Sequence, residues 1–139
     1  MFEGSMQVEA GEVGGGRTAW REVDRKLRGV AKRRAAMDQE ELRLIRAAIR
    51  LALWRELGMV SMREYLEEVM GYGPNVASER IRVAEALDAM PVLEQALESG
   101  QLPYSAVRAI TRIATRKTER AWVAACRGKN LRQIEELLA

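Results

Sequence analysis

The chain has 139 residues, of which 47% are hydrophobic and 31% are charged, a balance typical of one soluble globular domain. It contains no histidine and one cysteine, Cys126. The composition therefore excludes Ser-His and Cys-His catalytic pairs, histidine metal ligands and an internal disulfide bond. No apolar run is long enough for a membrane span, and the N-terminus does not look like a secretion signal. We expect a cytoplasmic protein that is not an enzyme and that uses no cofactor or metal.

The net charge is only +3, but the charges are unevenly placed along the chain. Residues 17–36 carry eight positive side chains against two carboxylates, which leaves +6, and residues 101–139 carry eight against three, which leaves +5. Basic segments attract polyanions by Coulomb attraction and by counterion release. The two basic segments therefore favour a nucleic-acid partner, whereas the acidic stretch between them, with a net charge of −5 over residues 59–100, opposes one.

The first part of the chain predicts a flexible leader followed by two helices. Residues 1–16 are glycine-rich and show no apolar period. The apolar residues Trp20, Val23, Leu27 and Val30 recur at steps of three and four, which predicts one face of a basic helix over residues 17–36. Asp38, with Glu41 three residues later, predicts the start of a second helix that ends at Gly58. The three tryptophans all lie on apolar stripes, so we expect them to pack in the core: Trp20, Trp54 and Trp122.

The next segment has the pattern of a helix-turn-helix pair, with helices at about 62–70 and 75–89. Ser61 and Glu64 form a capping-box pattern, in which hydroxyl and carboxylate each accept a hydrogen bond from a free N–H at the helix start. Gly71 suits the left-handed conformation that ends a helix, and Pro74 cannot continue one. In a standard register Arg80 occupies a position of the second helix that is usually apolar.

Proline, glycine and capping residues predict four further helices. One begins at Pro91 and ends near Ser99, and another opens at 103–105 with Val107, Ile110 and Ile113 turned inward. Thr118 and Asn130 are expected to cap the last two. No segment alternates with a period of two residues. The sequence therefore predicts an all-α domain of about seven or eight helices over residues 17–139.

Several segments together resemble a known family. They are 71–87, Met90-Pro91, 96–105, 109–115 and 119–135. Together they resemble the helical region that precedes the nuclease domain in bacterial HNH-endonuclease-type proteins of the 13E12-repeat kind, over about residues 38–139. A looser similarity exists to the helix-turn-helix part of ParB-type partition proteins. The resemblance implies a DNA-associated, non-catalytic half, since an HNH nuclease needs histidines that this chain lacks.

The first functional hypothesis is a DNA-binding module with duplex DNA as its partner. Residues near the start of the second helix of the pair would reach base edges in the major groove: Asn75, Ser78, Glu79 and Arg82. Basic residues elsewhere would contact phosphates and so position the protein without reading sequence. They are Arg25, Lys26, Arg28, Lys32, Arg33, Arg34, Arg108, Arg112, Arg116 and Lys117.

The alternative hypothesis is a protein-interaction or dimerisation scaffold that does not bind nucleic acid. A helix-turn-helix is also a simple way to pack two helices, and the carboxylates near it would repel phosphate. On this interpretation the basic helix docks on an acidic partner or on another copy of the chain. The stripe from Trp20 to Val30 would then be the seam of a homodimer.

Overall fold

A computed structural model describes residues 16–139 of the chain. In this range a 3-10 turn at Gly16–Thr18 is followed by eight α-helices, and no strand occurs. The helices are α1 Ala19–Leu51, α2 Leu53–Glu56, α3 Met62–Met70, α4 Pro74–Leu87, α5 Pro91–Glu98, α6 Tyr104–Ile110, α7 Glu119–Cys126 and α8 Leu131–Leu138. The predicted all-α fold is confirmed. The leader predicted at residues 1–16 lies outside the described residues, apart from Gly16.

The first helix corrects the prediction of two helices divided at Asp38. One helix, α1, runs for 33 residues from Ala19 to Leu51. Asp38 lies in its interior, and its carboxylate accepts a hydrogen bond from Arg80 at 2.8 Å instead of capping a helix start. The helix is capped at Ala52, six residues before the predicted cap at Gly58, because Ala52 takes the left-handed conformation (φ 51°) and its N–H bonds back to the carbonyls of Ala48 and Ile49.

Helices α3 and α4 lie close to where the sequence predicts them. Ser61 accepts a hydrogen bond from the N–H of Glu64 at 3.1 Å, while the Glu64 carboxylate reaches the N–H of Val60 at 2.7 Å. In a regular capping box the Glu64 carboxylate would accept from the N–H of Ser61 itself, whereas here it accepts from the preceding residue, Val60. Gly71 ends α3 with φ 74°, and Pro74 is the first residue of α4, where its missing N–H costs nothing.

The core lies where the C-terminal half of α1 meets α4 and α5. Leu42, Leu87, Leu93, Leu97 and Ile110 are wholly buried there. Helix α3 packs on α4, α7 packs on α5, and α8 packs on α6. Full burial of a leucine side chain stabilises the fold by about 2 kcal/mol, and these five residues belong to a larger cluster of buried apolar side chains.

Two polar contacts fix the ends of the later helices. The buried Glu119 accepts a hydrogen bond from the N–H of Leu93 at 2.9 Å, so the first residue of α7 caps the start of α5. Asn130 and Gln133 form the predicted reciprocal capping box of α8. Thr118 does not cap α7 as expected, because its hydroxyl accepts instead from the N–H of Thr115 at 2.8 Å. Ile113, expected to face inward, is 45% exposed because α6 has already ended at Ile110.

The N-terminal part of α1 projects away from this core. The turn at Gly100 (φ 81°) approaches α1 at Lys32 so closely that a Cβ on Gly100 would lie 2.7 Å from Cγ of Lys32. Between residues 21 and 28 every residue except Glu22 is exposed. Trp20 is 62% exposed, which corrects the prediction that all three tryptophans are core residues. Trp54 and Trp122 are half-buried against the core.

No helix among residues 16–139 is long and apolar enough to cross a membrane.

Candidate nucleic-acid interface

The N-terminus of α4 presents two of the residues predicted to contact bases. Asn75 and Ser78 are exposed. They lie three residues apart and therefore share one side of the helix. The opposite side of α4 is buried through Ala77 and Ala84. Helix packing thus leaves the Asn75–Ser78 side facing solvent.

The next residues on this surface form a cluster around Glu79. Arg82 makes a two-point contact with the Glu79 carboxylate through Nε and Nη2, both at 3.1 Å. From α6 and the turn after it, Arg112 donates to the same carboxylate at 2.8 Å, and Arg108 lies 3.9 Å from it. The hydrogen bond from Arg82, together with the charges of Arg112 and Arg108, lowers the pKa of Glu79. Three guanidinium groups thus surround one carboxylate, and the cluster carries a net charge of +2.

Arg82 is held more firmly than its neighbours in this cluster. Besides Glu79, its guanidinium donates to the carbonyl of Arg108 at 3.1 Å and to the hydroxyl of Thr111 at 3.3 Å. A direct bidentate contact with a base would require these bonds to be exchanged. Arg108 and Arg112 are more open, with side chains 43% and 56% exposed. In the unbound chain the open cations of this cluster are therefore Arg108 and Arg112.

A partly buried ion cluster between α1 and α4 explains the unusual position of Arg80. Its guanidinium bonds to Asp38 at 2.8 Å, lies 3.5 Å from Glu41, and stacks 3.7 Å from the ring centre of Tyr104. Tyr72 completes the cluster by donating its hydroxyl to Glu41 at 2.8 Å. Burial and this hydrogen bond raise the pKa of Tyr72. A cation is accommodated at a position that is usually apolar because two carboxylates of α1 neutralise it.

Tyr104 links the arginine cluster of α4 and α6 to the basic part of α1. It lines a cleft of about 370 Å³ together with Leu27, Val30, Arg34 and other residues of α1 and with Pro103. The pKa of Tyr104 is raised because burial disfavours the charged phenolate, although the charges of Arg80 and Arg108 oppose this shift. Arg34 of the first basic segment thus lines the same cleft as Tyr104, whose ring is covered by Arg80.

The predicted phosphate contacts all lie on the surface, in three places. Six are exposed on the N-terminal part of α1: Arg25, Lys26, Arg28, Lys32, Arg33 and Arg34. Arg25 pairs with Glu22, and Arg28 bonds Asp24 at 3.0 Å, both contacts between exposed side chains of one helix that stabilise little. Arg108 and Arg112 belong to the Glu79 cluster, and Arg116 and Lys117 are exposed in the segment before α7.

Sequence reasoning missed three residues that organise this surface: Arg80, Tyr104 and Thr111. A charged residue at an apolar position of α4 was a signal for Arg80, but its partners Asp38 and Glu41 lie about 40 residues away in the chain. No local pattern marks such a contact. Among residues 16–139 no group of three or more Cys, Asp or Glu side chains could hold a metal ion.

The chain has no significant match among protein-family models, curated proteins or solved structures. The similarity to the HNH-associated helical region therefore stays a prediction made from the sequence.

Proposed function

We propose that this chain is a non-catalytic module that binds duplex DNA. The observation that carries the proposal is the cluster of arginines around Glu79. Arg82 of α4 and the distant Arg108 and Arg112 all lie against this carboxylate, beside the exposed start of α4. An exposed helix start flanked by open arginines is the arrangement by which such modules approach a groove and its phosphates.

In this proposal the residues have separate roles. Asn75 and Ser78 reach base edges, since they are exposed at the start of α4 and make no side-chain hydrogen bond among the described residues. Glu79 and Arg82 fix the position of the two open arginines, and contact bases only if their mutual pairing is exchanged. Arg108 and Arg112 bind phosphates, together with Arg116, Lys117 and the exposed cations of α1.

The experiment is a titration of a labelled random duplex at low and at physiological salt, followed by fluorescence anisotropy. Binding through phosphates weakens linearly with the logarithm of salt concentration, with a slope set by the number of contacts. We expect Arg108→Gln with Arg112→Gln to weaken binding and to lower that slope by about one for each lost contact. Arg43→Gln with Arg55→Gln is the matched control, because both residues are exposed cations outside the proposed surface.

Two further variants separate the phosphate contacts of α1 from the base contact of Asn75. Charge reversal at Lys32, Arg33 and Arg34 tests the contribution of α1 to the salt slope. Asn75→Ala should change the preference among duplex sequences and leave the slope unaltered, because Asn75 carries no charge. No binding by the unmodified chain at low salt would overturn the proposal.

A second candidate function, a protein-interaction scaffold, is favoured by a different observation. Large apolar side chains are exposed along α1, among them Trp20, Leu27, Met37 and Leu51, each at least 62% exposed. Nucleic-acid binding has no use for such a row on a helix, whereas helix pairing does. Self-association without DNA binding, in sedimentation and in the titration above, would make this candidate the function.

A further inference from the structure

Along its whole length α1 carries one continuous heptad pattern. Ten positions spaced alternately by three and four residues are Trp20, Val23, Leu27, Val30, Arg34, Met37, Glu41, Leu44, Ala48 and Leu51. Eight of them are apolar. This is the spacing of the a and d positions of a coiled coil, in which one helix packs its seam against another helix. The pattern becomes visible only because α1 is a single helix through Asp38.

The seam differs from the face that α1 packs against the core, and the two faces share Ala48, which is 8% exposed. The rest of the core face is formed by Ala35, Leu42 and Ile45, each no more than 3% exposed. On the seam, Leu44 is 50% exposed and Val23 is 44% exposed. N-terminal to Ala35 the core face turns polar, with Arg21 and Arg28 at equivalent heptad positions, whereas the seam stays apolar as far as Trp20. In this projecting part Trp20 and Val23 are exposed, and Leu27 and Val30 line the cleft beside Pro103 and Tyr104, so most of the apolar seam faces solvent.

Beside the C-terminal half of the seam lies an apolar groove of about 570 Å³. One wall is α1, which contributes only a, d, e and g positions, and the other is α3, through Tyr65, Leu66, Val69 and Met70. Its residues include the carboxylates Asp38, Glu40 and Glu41 and no lysine or arginine. Asp38 and Glu41 are paired with Arg80, so Glu40 is the exposed charge of the groove.

The charges of the N-terminal half of α1 and of the groove are complementary, which favours a second copy of this chain as the occupant. The N-terminal half is a strongly basic helix with an apolar seam, and the groove is apolar with an acidic edge. In a parallel pair two segments of charge +6 would lie side by side, with Arg34 facing its own copy. In an antiparallel pair each basic half lies along the other copy's groove, both sites are filled at once, and the assembly closes as a two-fold dimer.

We propose that the chain forms an antiparallel homodimer in which the N-terminal half of each α1 occupies the groove between α1 and α3 of the other copy. Pairing of a with d positions sets Trp20 opposite the partner's Leu51 and Leu27 opposite the partner's Leu44. The same register brings Arg33, at a g position, beside the partner's Glu40. The cations Arg21, Arg25, Arg28 and Lys32 follow another face of α1 and stay open, so the dimer does not depend on DNA binding.

The first test measures the mass of the full chain by sedimentation equilibrium over a range of concentrations. We expect a monomer–dimer equilibrium, and Leu44→Lys should raise the dissociation constant by about tenfold or more, since it places a charge in a desolvated seam. Leu57→Lys is the control, because Leu57 is similarly exposed (55%) but lies off the seam. Circular dichroism checks that both variants keep their helix content. A monomer at every concentration, or equal effects of the two variants, would overturn the proposal.

Crosslinking tests the orientation of the two helices. In the antiparallel register a mixture of Leu27→Cys and Leu44→Cys chains forms a disulfide-linked pair on mild oxidation, and neither variant links to itself. Cys126 does not interfere because it is wholly buried. Self-linkage of Leu27→Cys alone would show a parallel pair and contradict the proposal.

Charge exchange tests the predicted contact across the dimer. Arg33→Glu and Glu40→Arg should each weaken the dimer, and the double variant should restore its affinity because the pair is re-formed with opposite sign. Failure of the double variant to recover would overturn the register. Because none of these measurements contains DNA, their outcome is separate from that of the DNA titration.

Discussion

The two halves of α1 have similar helical patterns but opposite environments. In the C-terminal half, Leu42 and Ile45 are buried and Arg46 bonds both the carbonyl of Ala84 and the carboxylate of Glu94. In the N-terminal half, Trp20 and Leu27 are each 62% exposed. An apolar period therefore predicts a helix in both places, but it does not tell whether the apolar face meets the chain's own core or another molecule.

The largest expected difference between the halves is in the cost of removing a leucine. Leu42→Ala should lower the free energy of unfolding by about 3–4 kcal/mol, because it leaves a cavity in the core. Leu27→Ala should cost less than about 1 kcal/mol in the monomer, since little buried contact is lost. Urea unfolding at a concentration below that of self-association measures both. Equal costs would mean that Leu27 is packed against the domain.

The partly buried ion cluster around Arg80 gives the next largest effect. Arg80→Ala removes the cation that neutralises Asp38 and Glu41, and we expect a loss of about 2–3 kcal/mol, since both carboxylates keep some contact with water. Arg43→Ala, at an exposed position of the same half of α1, should change stability by less than about 0.5 kcal/mol. The comparison uses thermal and urea unfolding, and a negligible effect of Arg80→Ala would show that water replaces the cluster.

Gly100→Ala tests the close approach of the turn at Gly100 to Lys32, near the middle of α1. Gly100→Ala should destabilise the chain by about 2 kcal/mol, because it adds a clash with Lys32 to the cost of a left-handed non-glycine residue. Gly128→Ala is the matched control, with φ 77° and no atom within 4 Å of its added Cβ, and should cost only about 1 kcal/mol. Urea unfolding measures both variants. Equal losses of unfolding free energy would show that the approach of this turn to α1 does not contribute to stability.

The smallest expected effect concerns pH and the arginine cluster outside α1. Because the pKa of Glu79 is lowered in the folded chain, its contribution to stability is present above its pKa in the unfolded chain and is lost as the pH falls through the folded value. Glu79→Gln should therefore cost less than about 1 kcal/mol at pH 7, and this cost should shrink as the pH falls through the folded pKa of Glu79. A difference that did not shrink on acidification would assign the effect to packing rather than to charge.

Much of the fold could be predicted because its signals are local. Ser61, Gly71, Pro91 and Asn130 each mark a helix end through their own backbone or side-chain chemistry, and each lies at the end that it predicts. The helix start predicted at Asp38 was wrong because aspartate is also acceptable inside a helix when a distant arginine, here Arg80, binds its carboxylate. Ala52 gave no signal, since alanine rarely adopts a positive φ.

The candidate surface was predictable only in parts. The i, i+3 pairing of Glu79 with Arg82 follows from helix geometry. The contact of this pair with Arg108 and Arg112 depends on how α6 packs on α4, and the spacing of residues along the chain does not reveal that packing. Only the stripe from Trp20 to Val30 was predicted as a seam, because the false boundary at Asp38 separated it from its continuation through Leu51.

The unbroken course of α1 also determines how its basic half becomes helical. The first turn of a helix is costly to form, and each later residue adds to it at little cost. A separate segment of residues 17–34, with eight like charges, would have to form that first turn alone and against its own repulsion. In the intact chain the turn is already formed around Leu42 and Ile45, and the basic half grows from it. We therefore expect folding of the core to nucleate a helix that extends outside the core.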